Sequence, residues 1–196
     1  LMVACRSGHL ECAQALINAG AAVDEADSDA KTALMWACKW GHPECVRALI
    51  RAGAVVDKKD NNEMTALMWV CEYGHHECAQ ALIEAGAAVD MVDNNGNTAL
   101  MEACTWGHHE CAQALMDAGA AVDMVNNDGN TALLLACNNG RHECARALIV
   151  AGAAVDMVDN NGRTALILGW EGRRLGRARA SLGSAEDEDK VQKNGA

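Results

Sequence analysis

Apolar residues along the chain fall at helical spacing, in short blocks that polar turn residues separate. In the segment 93–125, Leu100, Ala103 and Cys104 lie three and four positions apart, and the apolar residues within 111–116 have the same spacing. This spacing predicts a short helix on each block, because residues three and four apart share one helix face. The chain is therefore expected to alternate short helices with turns.

Polar residues and glycines indicate where each helix of this segment begins and ends. The stretch 93–97 (Asp-Asn-Asn-Gly-Asn) has turn chemistry, because short polar side chains bond the local backbone and glycine permits a positive φ. Thr98 occupies the expected N-cap position of the first helix, and Gly107 ends that helix. His108 opens the second helix, and Gly119 is placed just after its end as the C′ residue.

The whole pattern recurs every 33 residues without insertion or deletion, as in the column Thr32, Thr65, Thr98, Thr131 and Thr164. Two cysteine columns keep the same register: Cys5, Cys38, Cys71, Cys104, Cys137 and Cys12, Cys45, Cys78, Cys111, Cys144. A helix pair this short cannot bury its apolar face alone, but stacking on similar neighbours buries it. The sequence therefore predicts an all-α solenoid of stacked helix–turn–helix units, with both cysteine columns pointing inward.

These motifs resemble the ankyrin repeat family over residues 1 to about 168. The family's helix-opening motif appears here as Thr32-Ala33-Leu34-Met35-Trp36-Ala37 and Thr98-Ala99-Leu100-Met101-Glu102-Ala103. Its Gly-His start to the second helix appears as Gly41-His42, Gly74-His75 and Gly107-His108, and its repeat ending as Ala85-Gly86-Ala87-Ala88-Val89. The resemblance implies an ankyrin-repeat solenoid whose helix pairs are joined by β-hairpin-like loops.

The chain departs from the family motif at the helix starts and at two turns. Alanine replaces the motif's proline, and methionine or leucine replaces its histidine, so looser starts of the first helices are expected. Ala30 and Glu63 occupy turn positions where the family prefers glycine. These two turns are expected to be weaker than the others.

The repeat register divides the chain into ankyrin units and a tail. The predicted units are a partial repeat at 1–26, full repeats at 27–59, 60–92, 93–125 and 126–158, and a partial repeat at 159–171. Neither end resembles a polar cap, so the chain is expected to be part of a longer array or a multidomain protein. Residues 172–196 are rich in Gly and Arg and then in Glu and Asp, and are expected to be disordered. Their Arg and Ser residues are those of a solvated linker, with a phosphorylation site or a nuclear-import patch as alternatives.

Charge and hydropathy narrow the class of partner. The formal net charge is −11, which repels phosphate backbones and anionic lipid and favours a partner with a basic surface. No apolar run approaches the roughly 20 residues that a membrane-spanning helix needs. Binding of nucleic acid or membrane is therefore not expected.

The resemblance also implies where a protein partner would bind, since ankyrin partners usually dock on the concave face of turns and first helices. Two columns at the ends of the first helices vary within this chain while the Leu, Cys, Gly and Ala columns stay fixed. Their predicted partner-binding members are Trp40, Tyr73, Trp106 and Asn139 in one column and Lys39, Glu72, Thr105 and Asn138 in its neighbour. The turn residues Asn94, Asn95 and Asn97 complete the predicted site.

Aromatic residues are scarce in this chain, at 3% of its residues, so their positions are informative. Trp40, Tyr73 and Trp106 are predicted to contact the partner from the first helices, because such rings are frequent anchors of interfaces. Trp36 and Trp69 lie four residues earlier and are favoured to pack between repeats, with partner contact as the alternative. A column of rings stacking on nucleic-acid bases is a weaker hypothesis at this net charge.

No metal, cofactor or catalytic site is predicted. The repeated Cys-x₃-His-x₂-Cys pattern invites a metal interpretation, but the cysteines fall on core positions, where cysteine is a small buried hydrophobe. In the acidic turns, the first position of a calcium loop would fall on Met91, which cannot ligate the ion. No nucleophile–base pair or phosphate-binding loop is present.

The predicted function is therefore a protein-binding scaffold that is not itself an enzyme. The alternative is the substrate-targeting or regulatory arm of a larger enzyme whose catalytic domain lies outside this chain. The many thiols favour a reducing compartment, either the cytoplasm or the nucleus.

Overall fold

The computed structural model describes residues 1–169, which form five successive pairs of short helices, and residues 165–169 are helical as well. The predicted tail at 172–196 and the end of the last partial repeat lie outside these residues. The pairs are α1 Met2–Arg6 with α2 Leu10–Asn18, α3 Ala33–Lys39 with α4 Pro43–Arg51, α5 Ala66–Tyr73 with α6 His76–Glu84, α7 Ala99–Trp106 with α8 His109–Asp117, and α9 Ala132–Asn138 with α10 His142–Val150.

The pairs stack so that first helices contact first helices and second helices contact second helices. The first helices α1, α3, α5, α7 and α9 form one layer, and the second helices α2, α4, α6, α8 and α10 form the other. The predicted all-α fold of stacked helix pairs is therefore confirmed.

Threonine caps the first helices of the second to fifth pairs, as the sequence predicts. In each case its hydroxyl oxygen accepts a hydrogen bond from the backbone N–H three residues on, at 3.3 Å for Thr32 and Thr65 and 3.2 Å for Thr98 and Thr131. These bonds satisfy donors that a helix start otherwise leaves unpaired, and each contributes about 1 kcal/mol. All four threonines are buried.

Glycine ends the first helices for two physical reasons, which Gly41 illustrates. Its φ is +69°, in the left-handed region that disfavours other residues. A Cβ at Gly41 would also lie 2.5 Å from Nδ1 of His75, whose ring packs on it from the next repeat. Since a carbonyl oxygen only accepts, His75 Nε2–H donates to the Lys39 carbonyl at 3.2 Å. The glycine and the histidine thus join adjacent repeats.

The turns between the pairs have one geometry, built around an aspartate or asparagine. In the turn that begins at Asp93, one carboxylate oxygen accepts the backbone N–H groups of Asn95 and Asn97 at 2.9 and 2.7 Å. Three isolated antiparallel bridges close such turns, between Ala26 and Thr32, Val92 and Thr98, and Val158 and Thr164. The loops are therefore hairpin-like, as expected.

Two of these turns adopt the same geometry without glycine. Ala30 and Glu63 both have φ 62°, whereas Gly96, Gly129 and Gly162 have φ of 78°, 76° and 73° at the equivalent positions. A left-handed conformation costs a residue that has a Cβ roughly 1–2 kcal/mol. This backbone strain lies in the turns at Ala30 and Glu63, the two turns that the sequence predicts to be weaker than the others.

The core lies between the two layers and consists of Leu, Ala, Met, Cys and Val side chains. Most cysteines are buried in it, as predicted, and Cys137 is partly buried. The prediction is wrong for Cys12, which is exposed. In the second pair, Cys45 packs beside Cys5 of the preceding repeat, whereas no described repeat precedes the first pair to cover Cys12.

Candidate functional site

The surface formed by the ends of the first helices and the preceding turns carries most of the aromatic side chains. We call it the first-helix face and define it by Arg6, Lys31, Trp36, Lys39, Trp40, Trp69, Glu72, Tyr73, Glu102 and Trp106. Tyr73 and Trp106 end α5 and α7, whereas Trp40 is the first residue after α3 rather than part of that helix. The exposed fractions of Trp40, Tyr73 and Trp106 are 50%, 42% and 50%.

The two earlier tryptophans are anchored to the turns. Trp36 Nε1–H donates to Asp27 at 2.9 Å, and Trp69 Nε1–H donates to Asp60 at 3.2 Å. Trp69 is 7% exposed and belongs to the core, so packing between repeats is its role. Trp36 is partly buried and keeps one ring face near the cations of the site.

The hydrogen bonds at Asp27 also affect its charge. Burial would raise the pKa of this carboxyl, but hydrogen bonds from the Lys31 backbone, the Trp36 indole and the Asp29 backbone lower the pKa overall. Asp27 therefore stays ionised while it holds both the turn and Trp36.

Three cations lie over the tryptophan and tyrosine rings of the face. Lys39 Nζ is 4.4 Å from the Trp69 ring centroid and 5.3 Å from that of Tyr73. The Arg6 guanidinium is 5.4 Å from the Trp36 centroid and 5.7 Å from that of Trp40. These distances are those of cation–π contacts, which hold a long side chain in place.

The third cation, Lys31, lies 5.4 Å from the Trp69 centroid, and its ammonium also pairs with Asp29 at 3.1 Å. Lys31 therefore bridges a turn and the neighbouring repeat. Among the described residues, Lys31 therefore has an ion-pair partner, whereas Arg6 and Lys39 have none.

Two glutamates follow the cations along the face. Glu102 accepts hydrogen bonds from Asn97 at 3.1 Å and from Trp106 Nε1–H at 3.3 Å. Burial raises its pKa, and the nearby charge of Glu72 raises it further. Burial also raises the pKa of Glu72, which the charge of Lys39 opposes. Along the face, Arg6 and Lys39 therefore precede Glu72 and Glu102.

The structure brings some predicted residues together and separates others. Lys39, Glu72 and Tyr73 are neighbours, and Trp106 and Asn97 meet at Glu102. In the described part of the chain, no ring contact joins Trp40, Tyr73 and Trp106 to one another. The three rings are separate anchors rather than one cluster.

The other predicted residues are mostly used by the scaffold. The Thr105 hydroxyl donates to the Met101 carbonyl at 2.8 Å, and the Asn139 amide donates to the Leu135 carbonyl at 2.9 Å. The Asn94 amide donates to the Asn61 carbonyl of the previous turn at 3.4 Å. Asn95, at a turn tip, and Asn138, at the end of α9, are exposed.

The prediction of site residues omits Arg6, Lys31 and Glu102. Each occupies a column that varies between repeats: Arg6 shares the column of Lys39, Lys31 precedes the capping threonine, and Glu102 stands where earlier repeats carry tryptophan. Variation within the chain is therefore the signal that would have found them. The cross-repeat ring contacts that distinguish them are not visible in the sequence.

The second-helix layer differs in character. A groove of about 1040 Å³ crosses α6, α8 and α10, with Ala81, Ala114 and Ala147 among its lining residues. Some polar groups beside it bond within their own helix, as where Gln113 donates to Asp117 at 2.8 Å, and others meet across helices, as where His76 Nδ1 lies 3.4 Å from Glu110 Oε2. The groove is formed by helices of closely similar sequence, and none of the described Trp and Tyr residues lines it.

Burial limits the reactivity of two of the thiols, Cys5 and Cys78. Burial raises the pKa of the Cys78 thiol to about 12 and that of Cys5 to about 12, so these thiols stay protonated at neutral pH. Within residues 1–169, no group of three or more His, Cys, Asp or Glu side chains is arranged to hold a metal ion. None of the helices described is long and apolar enough to cross a membrane.

The stacked helix pairs, capping threonines and hairpin-like turns define a helical repeat protein. The family model for ankyrin repeats matches in three copies, over residues 1–60, 52–126 and 115–175. The chain belongs to the ankyrin repeat family. Ankyrin repeats are generally protein-interaction modules and are typically not catalytic. Comparison with curated proteins gave no match.

Proposed function

We propose that this chain binds a protein partner through its first-helix face. The observation that carries the proposal is the regular exposure of large rings. Trp40, Tyr73 and Trp106 occupy one column in three successive repeats, and each ring leaves about half of its surface open to solvent. Aromatic side chains with a polar atom contribute most to binding when a partner covers them, because they bury much area at little entropic cost.

The charges near the rings favour a polypeptide over a nucleic acid. Arg6, Lys31 and Lys39 are balanced by acidic groups on the same surface, namely Asp27, Asp60, Glu72 and Glu102. The face therefore has no net positive field to attract a phosphate backbone, and the net charge of the chain is −11. Lys39 and Glu72 would instead contribute specificity among proteins.

Replacing the three rings together tests the proposal. The variant W40A/Y73A/W106A should keep its helical circular dichroism, because the rings are exposed, but should capture proteins from cell extract at least tenfold less well. The matched control I149A/V150A removes exposed apolar side chains of α10 in the other layer and should capture the same proteins as the unmodified chain. Equal capture by the ring variant and the control would show that the partner binds elsewhere.

A further inference from the structure

Two cations of the first-helix face have no acceptor among the described residues 1–169. Among the described lysines and arginines, most pair with a carboxylate or a backbone carbonyl, as in Arg47 with Glu44 at 2.6 Å. In residues 1–169, Arg6 and Lys39 have neither a hydrogen-bond acceptor nor an ion pair, and their contacts are with ring faces. Arg51, in the other layer, likewise has no such partner.

The rings prepare these two cations to bind an anion. A lysine or arginine side chain loses up to about 2 kcal/mol of rotamer entropy when it is fixed in an interface. Arg6 and Lys39 are already held over Trp36, Trp40 and Trp69, so part of that entropy is lost before a partner arrives. A ring face accepts no conventional hydrogen bond, so the N–H groups remain available to an oxygen ligand.

Next along the face lies an acidic group that has no hydrogen-bonding partner in the described part of the chain. The Glu72 carboxylate is partly buried and accepts no hydrogen bond from the described residues 1–169. Lys39 influences its charge but does not approach within ion-pair distance, and burial raises the pKa of Glu72. A partly buried carboxylate without a bonded donor gains more from an incoming cation than an exposed one does.

We infer that the partner segment presents a carboxylate side chain to Arg6 and Lys39 and, further along, a lysine or arginine side chain to Glu72. This inference depends on the proposed function, since it names the chemistry of the segment that the first-helix face binds. Uniformly acidic segments would be repelled by Glu72 and Glu102, and uniformly basic ones by Arg6 and Lys39. A segment with both charges, in this order along the stack, is complementary throughout.

Selection from a random library of 12-residue peptides displayed on phage, with the chain immobilised, tests the inference. Peptides enriched on the unmodified chain should contain an acidic and a basic residue at a preferred separation. Synthetic versions should bind R6Q/K39Q and E72Q about tenfold more weakly in fluorescence anisotropy at low salt. R51Q and E77Q remove an unpaired arginine and an exposed glutamate of the other layer, and should leave the affinity unchanged.

The outcomes separate this inference from the function on which it rests. Peptides that lose affinity for W40A/Y73A/W106A but not for R6Q/K39Q or E72Q would overturn the charge pattern and leave the binding face in place. Peptides that bind the ring variant as they bind the unmodified chain would overturn both. Selection that enriches no sequence carrying both charges would also overturn the inference.

Discussion

The first helix pair and an interior pair have nearly the same sequence but different surroundings. Residues 10–18 read Leu-Glu-Cys-Ala-Gln-Ala-Leu-Ile-Asn in α2, and residues 109–117 read His-Glu-Cys-Ala-Gln-Ala-Leu-Met-Asp in α8. Nevertheless Leu16 is 40% exposed while Leu115 is fully buried. Cys12 is likewise exposed, whereas Cys111 is buried.

The difference lies in the neighbours of each helix. Among the second helices, α8 packs between α6 and α10, whereas α2 has α4 on one side and no described helix on the other. A repeat therefore contributes to stability through its interfaces more than through its own residues. The same amino acid in the same column should therefore contribute much more to the free energy of unfolding in an interior repeat than in the first repeat.

Replacing the matched leucines by alanine tests this comparison with the largest expected effect. Leu115→Ala should lower the free energy of unfolding by about 3 kcal/mol, because it leaves a cavity between three packed helices. Leu16→Ala should lower it by less than about 1 kcal/mol, because that side chain is already in contact with solvent. Urea denaturation at 25 °C, followed by circular dichroism, measures both values.

Repeat arrays lose cooperativity when one unit is weakened, so the same variants need a local measurement. Amide hydrogen exchange should show faster opening around α6, α8 and α10 in the Leu115 variant, and around α2 in the Leu16 variant. Equal losses of stability for the two substitutions would contradict the role that the structure gives to the stacked neighbours.

The sequence predicts most of this fold because each local signal agrees with the period. Thr98 caps a helix and Gly107 ends one in the structure, as their residue types require. The sequence does not reveal that Cys12 is exposed, since burial depends on a neighbour rather than on the residue itself. It also does not show that Ala30 keeps the left-handed turn, because the adjoining repeats impose that geometry against the residue's preference.

The candidate site is less predictable than the fold. The exposed column of Trp40, Tyr73 and Trp106 follows from its position at the helix ends. The sequence does not predict that Lys39 lies over Trp69, which is 30 residues away in the chain. A lysine side chain has many rotamers, and the sequence does not choose among them. For the same reason, only the structure shows that Arg6 has ring contacts but no acceptor among residues 1–169.

The turns give a second matched pair between the start of the stack and its interior. Gly129→Ala should lower the free energy of unfolding by about 2 kcal/mol. Its φ is +76°, and a Cβ there would lie 2.9 Å from the backbone nitrogen of Asn160. Ala30→Gly should raise stability by less than about 1 kcal/mol, because it relieves strain but also increases the freedom of the unfolded chain. Thermal and urea unfolding of both variants provide the measurement.

The turn at Ala30 indicates how much stability Gly129→Ala can remove. It already holds a Cβ at φ 62°, so a shift of φ is one way for the turn to accept a side chain. A loss well above 2 kcal/mol for Gly129→Ala would mean that the interior turn cannot make this shift. A gain from Gly129→Ala would contradict the strain argument itself.

The smallest expected effect concerns pH and the histidine that joins repeats. Burial lowers the pKa of His75, its hydrogen bond to the Lys39 carbonyl opposes this change, and the charges of His108 and His42 lower the pKa further. The unfolded chain then takes up the proton at a higher pH than the folded chain does. The stability contributed by His75 is therefore present above its ordinary pKa of 6.5 and is lost as the pH falls below that value.

His75→Gln should remove this pH dependence, so that the free energy of unfolding falls less between pH 7 and pH 5.5. The reduction should be less than about 1 kcal/mol, because the ring is partly exposed. The matched control is His9→Gln, since His9 stands in the same column and has no described repeat before it to bond. Subtracting the unmodified curve from each variant cancels the contribution of the other titratable groups, Glu72 and Glu102 among them. An equal change of the pH-dependent unfolding free energy in both variants would show that the histidine hydrogen bond between repeats contributes no pH dependence. The first repeat and the interior repeats would then respond to pH in the same way.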